Sequence, residues 1–351
     1  MRKTKRKTGK QIALIAMSLC LVLNLFLSMA AAKELPLSGG GTDGVAAWTF
    51  DPQTKTMTYS GSGKVCDCRV QEWKEQTEHV IIEEGISEIP YGIFGEDDVD
   101  CAYFKNLKDV SFPTSLRRIG DFAFIGCQHL TQITLNYGVE YIGAHAFEGT
   151  GITEVEIPGS VKQIGEYAFS GGDTERIIFH DGLKKIKEYA FQFQKLSICE
   201  IPDSVIRIGE ATFEDCTYLQ RIRLPQKLTV LESEMFHGCK KLRTIVLPDS
   251  LIKIKADVFY ETGLTTLTIP VNIEVLGDVF SPEEGMFKDC NDLTKVNIKT
   301  KKLRKIYKKT FINTPKKVVF VVPKGYKKKY TKMLQDGGLN KKIKIKESKK
   351  W

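Results

Sequence analysis

From residue 107 onward the chain repeats one arrangement of apolar and polar positions. One unit reads Leu107-Lys-Asp-Val110-Ser-Phe112-Pro113-Thr-Ser115-Leu116-Arg-Arg-Ile119-Gly120-Asp-Phe-Ala123-Phe124, and the next begins at Leu130. Aligned on one phenylalanine, the copies fall at Phe124, Phe147, Phe169, Phe191, Phe213, Phe236 and Phe259, in steps of 22 or 23 residues. Phe280 and Phe311 are read as continuing the series around an insertion. An incomplete unit precedes them at Val80-Ile81-Ile82, with Ile86, Ile89 and Phe94.

Each position in the unit has a physical reason. Leu-x-x-Ile-x-Ile alternates at its end, as a strand with one buried face does. Proline stops the strand, because it has no N–H for a ladder. The serine two residues later is expected to bond the backbone of its own turn. Val/Leu-x-x-Ile-Gly then turns apolar side chains inward, and Ala-Phe closes the unit. Gly120, Gly143, Gly165, Gly209 and Gly277 suggest a left-handed residue, although Lys187, Glu232 and Lys255 take the same place, so positive φ is not obligatory there.

A unit of this length cannot bury its own apolar face, but stacked units can. The period lies in the leucine-rich-repeat range of roughly 20–29 residues. The expected fold is therefore a repeat solenoid of short parallel strands, β-rich with few short helices and capped at both ends. Residues 33–79 form an N-terminal cap, with Val45–Phe50 and Thr56–Ser60 as a hairpin around Asp51-Pro52. Residues 80–314 form the solenoid of about ten units, with insertions near 95–104 and 281–286. Residues 315–351 form a basic C-terminal cap, with a strand at Val318–Val322, a short helix over Tyr326–Leu334 and a last strand at Ile343–Ile345.

The units of the form Ile-Pro-x-Ser-Val-x-x-Ile-Gly-x-x-Ala-Phe, as at 157–169, resemble those of the BspA-like class of bacterial leucine-rich-repeat surface proteins. The segment Trp48-Thr-Phe…Tyr59-Ser-Gly-Ser-Gly63…Trp73 is similar to that family's N-terminal hairpin, and Val322-Pro323-Lys324-Gly325-Tyr326 to its closing strand and helix. The resemblance covers roughly residues 44–347; the two insertions and the weight of the basic tail depart from it. It implies an exported, non-catalytic protein that binds host matrix proteins, mucosal surfaces or neighbouring cells.

Composition agrees with a folded, soluble body: of 351 residues, 42% are hydrophobic and 27% charged. The net charge of +9 conceals a split. Residues 1–32 carry six basic side chains and no acid, residues 295–351 carry 21 Lys/Arg against Asp336 and Glu347, and the body between them carries 25 basic against 41 acidic residues. The N-terminus reads as a secretory signal, with a basic start, an apolar run from Ile12 to Leu27 and Ala30-Ala31-Ala32 ahead of cleavage after Ala32. An uncleaved anchor is the alternative, since the run approaches the ~17–25 residues that span a bilayer. Either way the body is expected outside the cytoplasm, secreted or on the cell surface.

Eight cysteines follow the signal. Cys127, Cys216, Cys239 and Cys290 share a repeat position with Thr150 and Thr262, which points to packing. A Cys216–Cys239 disulfide is the alternative, because neighbouring rungs about 4.8 Å apart lie within disulfide reach. Cys199 falls on an inward strand position. Cys66 and Cys68 lack zinc-module spacing, and pairing of one with Cys101 stays open. The five histidines sit at scattered offsets, and no His-Glu-x-x-His, Gly-x-Ser-x-Gly or Walker pattern occurs. No enzyme, metal or cofactor is expected.

Binding is expected on the outward strand positions. Exposed apolar residues beside arginine suit a protein contact. Arg176, Ile178, Ile198, Glu200, Arg221, Arg223 and Val246 are the candidate partner-binding residues. Lys301, Lys302, Lys308, Lys309, Lys327, Lys328 and Lys329 are candidates for holding anionic envelope polymers. The partner class is a protein or glycan macromolecule outside the cell; nucleic acid is not expected for an exported chain. The function read from the sequence is an adhesin-like binding protein. The alternative is an assembly component of the bacterial envelope with partners from its own cell.

Overall fold

A computed structural model describes residues 38–40, 45–67, 71–95, 103–279 and 285–349. The segment expected to be an export signal, Cys68, Cys101 and Phe280 lie outside the described residues, as do most of the two insertions. The described residues belong to one compact unit, Ser38–Trp351.

The fold is the expected solenoid, with two strands per unit rather than one. The strand before the proline forms a front sheet, and the Val-x-x-Ile-Gly stretch forms a two-residue rear strand. The front sheet starts as an antiparallel hairpin, Ala47–Asp51 with Thr56–Ser60. Its ladder then runs parallel through His79–Ile82, Asp109–Ser111, Gln132–Ile133, Glu154–Ile157 and Arg176–Phe179. Ile198–Glu200 pairs with Arg221–Arg223, and further on Thr266–Ile269, Lys295–Ile298, Val319–Val322 and Lys344–Glu347 form the last ladder. The rear strands run in the same order, for example Arg118–Ile119, Tyr141–Ile142, Gln163–Ile164, Lys185–Ile186 and Arg207–Ile208. The third side is made of turns that are themselves hydrogen-bonded from unit to unit: Phe122 N donates to Ala144 O (2.8 Å) and Phe124 N to Ala146 O (2.8 Å).

Inside this triangle runs a ladder of phenylalanines. Phe94, Phe124, Phe147, Phe169, Phe191, Phe213, Phe236, Phe259, Phe287 and Phe311 stack in sequence, with centroids 4.9–6.3 Å apart and planes within 24° of parallel. These are offset stacks, the arrangement ring quadrupoles prefer. The ladder corrects one expectation. Phe287, not Phe280, is its ninth rung: Met286-Phe287 stands in the place of Ala-Phe, and Cys290 follows three residues on, as Cys127 follows Phe124. Tyr59 closes the ladder edge-on against Phe94 (5.8 Å), and Phe320 closes it edge-on against Phe311 (5.6 Å). Both belong to the segments expected to act as caps.

Two further expectations are corrected. Gly120, Gly143, Gly165 and Gly209 do not have positive φ; only Gly277 does (+82°). Close approach selects them: a Cβ at Gly165 would lie 2.3 Å from the carbonyl carbon of Gly143. The left-handed residues come two positions later, at Phe122, His145, Tyr167, Tyr189, Ala211, Glu234 and Asp257 (φ 49–60°). The repeat serine does not bond its own turn either. Ser115 Oγ donates to Ile86 O (2.8 Å), and Ser160 and Ser204 accept from Gly138 N (3.3 Å) and Gly182 N (3.0 Å), all one unit back. The serine is thus a cross-link between units.

The N-terminal cap includes helix α1 (Gln71–Gln76), whose buried Trp73 packs edge-on against Phe50 (4.3 Å). Helix α2 (Lys327–Asp336) packs Tyr330 and Leu334 onto the last units, with the Tyr330 hydroxyl donating to Thr300 O (2.8 Å). Its first turn holds three lysines, which the helix dipole disfavours. The Glu347 carboxylate of the last strand answers this by accepting from Gly325 N (3.0 Å) and Lys327 N (3.3 Å).

Candidate binding face

Phase decides which side chains a repeat strand presents. Val110, Val155, Ile177, Cys199 and Ile222 point inward and are buried, so Ser111, Glu156, Ile178, Glu200 and Arg223 face solvent. Hydrogen-bonded register then lines the outward residues up across units. Glu154 stands opposite Arg176, Glu156 opposite Ile178, Ile198 opposite Arg221 and Glu200 opposite Arg223.

Ile178 is 37% exposed and Ile198 47%. With Arg176, Phe179 and Glu200 they line one open depression of about 600 Å³. Ile198 also borders a second depression with Arg221, Lys241, Arg243 and Thr244. Ion pairs between units frame both. Arg176 lies 3.7 Å from Glu154 and Arg221 3.4 Å from Glu200. Arg223 is held more firmly, donating to Asp203 (2.7 Å) and to Ile201 O (2.9 Å). The Gln226 amide and then Arg223 keep the Asp203 carboxyl below the usual range. Such exposed pairs are screened by solvent, so they orient side chains rather than hold the fold.

Val246 departs from the expected strand. It is 81% exposed, but residues 242–247 form no strand, and the front sheet is interrupted both between Arg176–Phe179 and Ile198–Glu200 and between Arg221–Arg223 and Thr266–Ile269. It borders neither depression.

The basic end is exposed at Lys301, Lys302, Lys308, Lys309, Lys327, Lys328 and Lys329. Lys301 and Lys302 lie with Lys299 around Val271 and Asn272, and Lys302 Nζ donates to Asn272 Oδ1 (2.7 Å). Lys329 Nζ donates to Leu303 O (3.1 Å), which brings the start of α2 to the same side. Lys308 and Lys309 lie on the following turn, near the far end of α2, where Phe311 N donates to Gly337 O (2.9 Å). The seven lysines therefore form two groups.

The described cysteines are free, and the buried ones are used in packing. Cys127, Cys216, Cys239 and Cys290 each direct Sγ at the carbonyl of the ladder phenylalanine one unit back, at 2.8–3.4 Å. Thr150 and Thr262 serve the same column by donating to their own Phe147 and Phe259 carbonyls (both 2.9 Å). Half-buried Cys66 donates to Ala46 O (2.7 Å). The open pairing of Cys66 or Cys68 with Cys101 falls outside the described residues.

One cluster escaped the sequence reading. Glu214, Glu234 and His237 bring ligating atoms within 4.8 Å of one another on the turn side. The signal was present in columns rather than in a motif: Glu214 and His237 hold equivalent places, each next to its ladder phenylalanine. Among the described residues no helix is long and apolar enough to cross a membrane.

These features define a leucine-rich-repeat solenoid, a fold that typically serves as a non-catalytic binding scaffold with an extended concave surface. The sequence profile described as a BspA type leucine rich repeat region of six copies matches residues 97–220, 164–282 and 208–340, and the chain belongs to that family. No curated protein matches it. Among solved structures, a leucine-rich repeat protein from Bacteroides ovatus shares the fold, with a TM-score of 0.54 at 20% identity over 89% of this chain and 79% of that one. A leucine rich cell surface protein from Faecalibacterium prausnitzii is also similar, with a TM-score of 0.42 at 18% identity over 90% and 96%. The pneumococcal vaccine antigen PcpA scores 0.38 at 17% identity over 88% and 98%.

Proposed function

We propose that this protein is an adhesin-like, non-catalytic binding protein of the cell exterior, which engages an extracellular protein or glycan through its front sheet. The observation that carries this reading is the pair Ile178 and Ile198, exposed on successive front strands that are each fixed in register to one adjoining strand, and lining one depression with Arg176 and Glu200. A stacked sheet holds these side chains at fixed spacing, so a partner meets a surface that is already ordered. The basic C-terminal end carries a second role in this reading: it holds the chain to anionic polymers of the envelope. The charge split between an acidic body and a basic end supports that division.

A salt-titrated pull-down against isolated envelope, matrix proteins and mucin tests both halves. Three proteins are compared: the parent, Ile178→Ser with Ile198→Ser, and a version with the seven lysines changed to glutamine. The expected result is envelope binding lost with salt or with lysine neutralisation, and matrix or mucin binding lost only in the isoleucine variant. If none of the three binds matrix or mucin and the parent instead retains envelope proteins of its own cell, the adhesin reading fails in favour of an assembly role.

A further inference from the structure

Two columns of side chains run side by side along the turn side of the solenoid. One holds the left-handed residues. It begins as a stack of rings, Phe122–His145–Tyr167–Tyr189, with centroids 4.5–4.9 Å apart, so its side chains lie one over the next. The rings end at Ala211, and carboxylates follow: Glu234, then Asp257. The other column, one residue after each ladder phenylalanine, holds Glu214, His237 and Tyr260, with His237 stacked on Tyr260 (4.4 Å). Where the columns meet, His237 Nδ1 lies 3.1 Å from Glu214 Oε1, and Glu214, Glu234 and His237 converge within 4.8 Å. The other Glu214 oxygen accepts from Gln192 Nε2 (2.5 Å).

A second observation is independent of that convergence. Asp257 is 2% exposed, and its Oδ2 has no hydrogen-bond partner. Its column places it beside Glu234, and its charge interacts with both Glu234 and His237. Buried carboxylates are normally paired or bound to a cation. Among the described residues, Glu234 and Asp257 form no ion pair, and the nearby Lys255 is taken by Glu232 and Asp278. This corner therefore gathers carboxylates around an imidazole nitrogen, with His237 paired to Glu214 and the charge of Lys288 reaching Asp257 from the next unit.

We infer that Glu214, Glu234 and His237 form a binding site for one divalent transition-metal ion of the zinc type, with Asp257 as the buried carboxylate behind it. One imidazole with two or three carboxylates is a mixed nitrogen and oxygen donor set that suits zinc and its neighbours better than calcium, which takes oxygen alone. The donors come from units 22 to 23 residues apart, so an ion here ties consecutive turns together across the column. Nothing in the repeat pattern requires them: the corresponding places one unit earlier hold Gln192 and Ala211.

The test is zinc retention by the purified protein after dialysis, measured by elemental analysis, together with competition against a chromophoric chelator and the visible spectrum of the cobalt form. The expected result is one ion per chain. His237→Gln and Glu234→Gln are each expected to weaken it about tenfold or more. The control is His145→Gln, which removes a histidine that also contacts a glutamate, Glu148, but has no third ligand nearby, and it leaves the affinity unchanged. The cobalt spectrum is expected to be lost in the His237 variant. Two substitutions at different places in the cluster keep the test open if one variant misfolds, and circular dichroism identifies that case. Absence of stoichiometric zinc, zinc that survives both substitutions, or binding of calcium alone overturns the assignment.

Discussion

The thiol of Cys239 lies 3.2 Å from the carbonyl oxygen of Phe213, one unit back in the solenoid. The contact recurs at Cys127, Cys216 and Cys290, so the cysteine column satisfies backbone acceptors beside the aromatic ladder. Threonine takes the same place at Thr150 and Thr262, where its hydroxyl donates to the ladder phenylalanine carbonyl of its own unit instead.

The first prediction concerns these thiols. Burial pushes Cys216 up to about 12 and raises Cys239 well above the ordinary thiol value. Native protein at pH 8 without reductant should therefore leave Cys127, Cys199, Cys216, Cys239 and Cys290 unalkylated, and denaturant alone should make all five react. Mass spectrometry reads this directly. Cys216 and Cys239 that resist alkylation in denaturant would reveal a disulfide and refute the packing role.

The aromatic ladder sets a second expectation. Phe191 is fully buried between Phe169 (5.5 Å) and Phe213 (5.8 Å). Phe191→Ala should destabilise by about 3–5 kcal/mol through lost burial and a cavity. Because each unit contacts only its neighbours, protection from hydrogen exchange should fall most around residues 169–213. A urea titration and residue-resolved exchange measure the two effects; loss spread evenly over the chain would contradict the one-dimensional picture.

Glycine at two positions should respond differently. Gly165→Ala forces a Cβ to within 2.3 Å of the backbone of Gly143, and overpacking of this kind costs about 1–3 kcal/mol or more. Gly171 has φ +66° and open space around it, so Gly171→Ala carries only the left-handed penalty of about 1 kcal/mol. Equal shifts in the urea midpoint for the two variants would count against close approach as the reason for the Gly165 column.

Acid stability provides a fourth test. Lys108 and Lys55 both bond Glu78 and hold its carboxyl at about 2, below the ordinary 4.5. A carboxyl depressed in the folded state stabilises fully above its unfolded value and loses that contribution as pH falls through the folded one. The contribution should therefore be present at pH 6 and decline between about 4.5 and 2. Glu78→Gln should lower stability at pH 6 and match the parent near pH 2, measured by urea midpoints across that range. A parallel shift at every pH would assign Glu78 a role other than charge.

Much of this architecture was legible because a stacked repeat writes its packing into the sequence. Apolar residues at a fixed period have only neighbouring units to bury against, so the period fixed both the solenoid and the phase that exposes Ile178 and buries Ile177. The hairpin at Ala47–Ser60 was readable for the same reason, from alternation around Asp51-Pro52. Phe280 was misplaced because the insertion broke the count, although Cys290 three residues after Phe287 carried the correct register. Helix α1 was not anticipated; its six residues carry one buried side chain, Trp73, and so have no period to read.

By itself the sequence determined the repeat length, the strand that faces the core, the aromatic ladder and the charge split, all of which depend on residues near one another in the chain or at a constant interval. Only the tertiary structure decided which unit each polar group reaches. Ser115 bonds Ile86, Cys239 bonds Phe213, and Glu214 meets Glu234 and His237, each across a step between turns. Hydrophobic burial depends on periodicity and is nearly indifferent to direction, whereas a hydrogen bond or ligand contact depends on a few tenths of an ångström and an angle, which exist only once the turns are stacked.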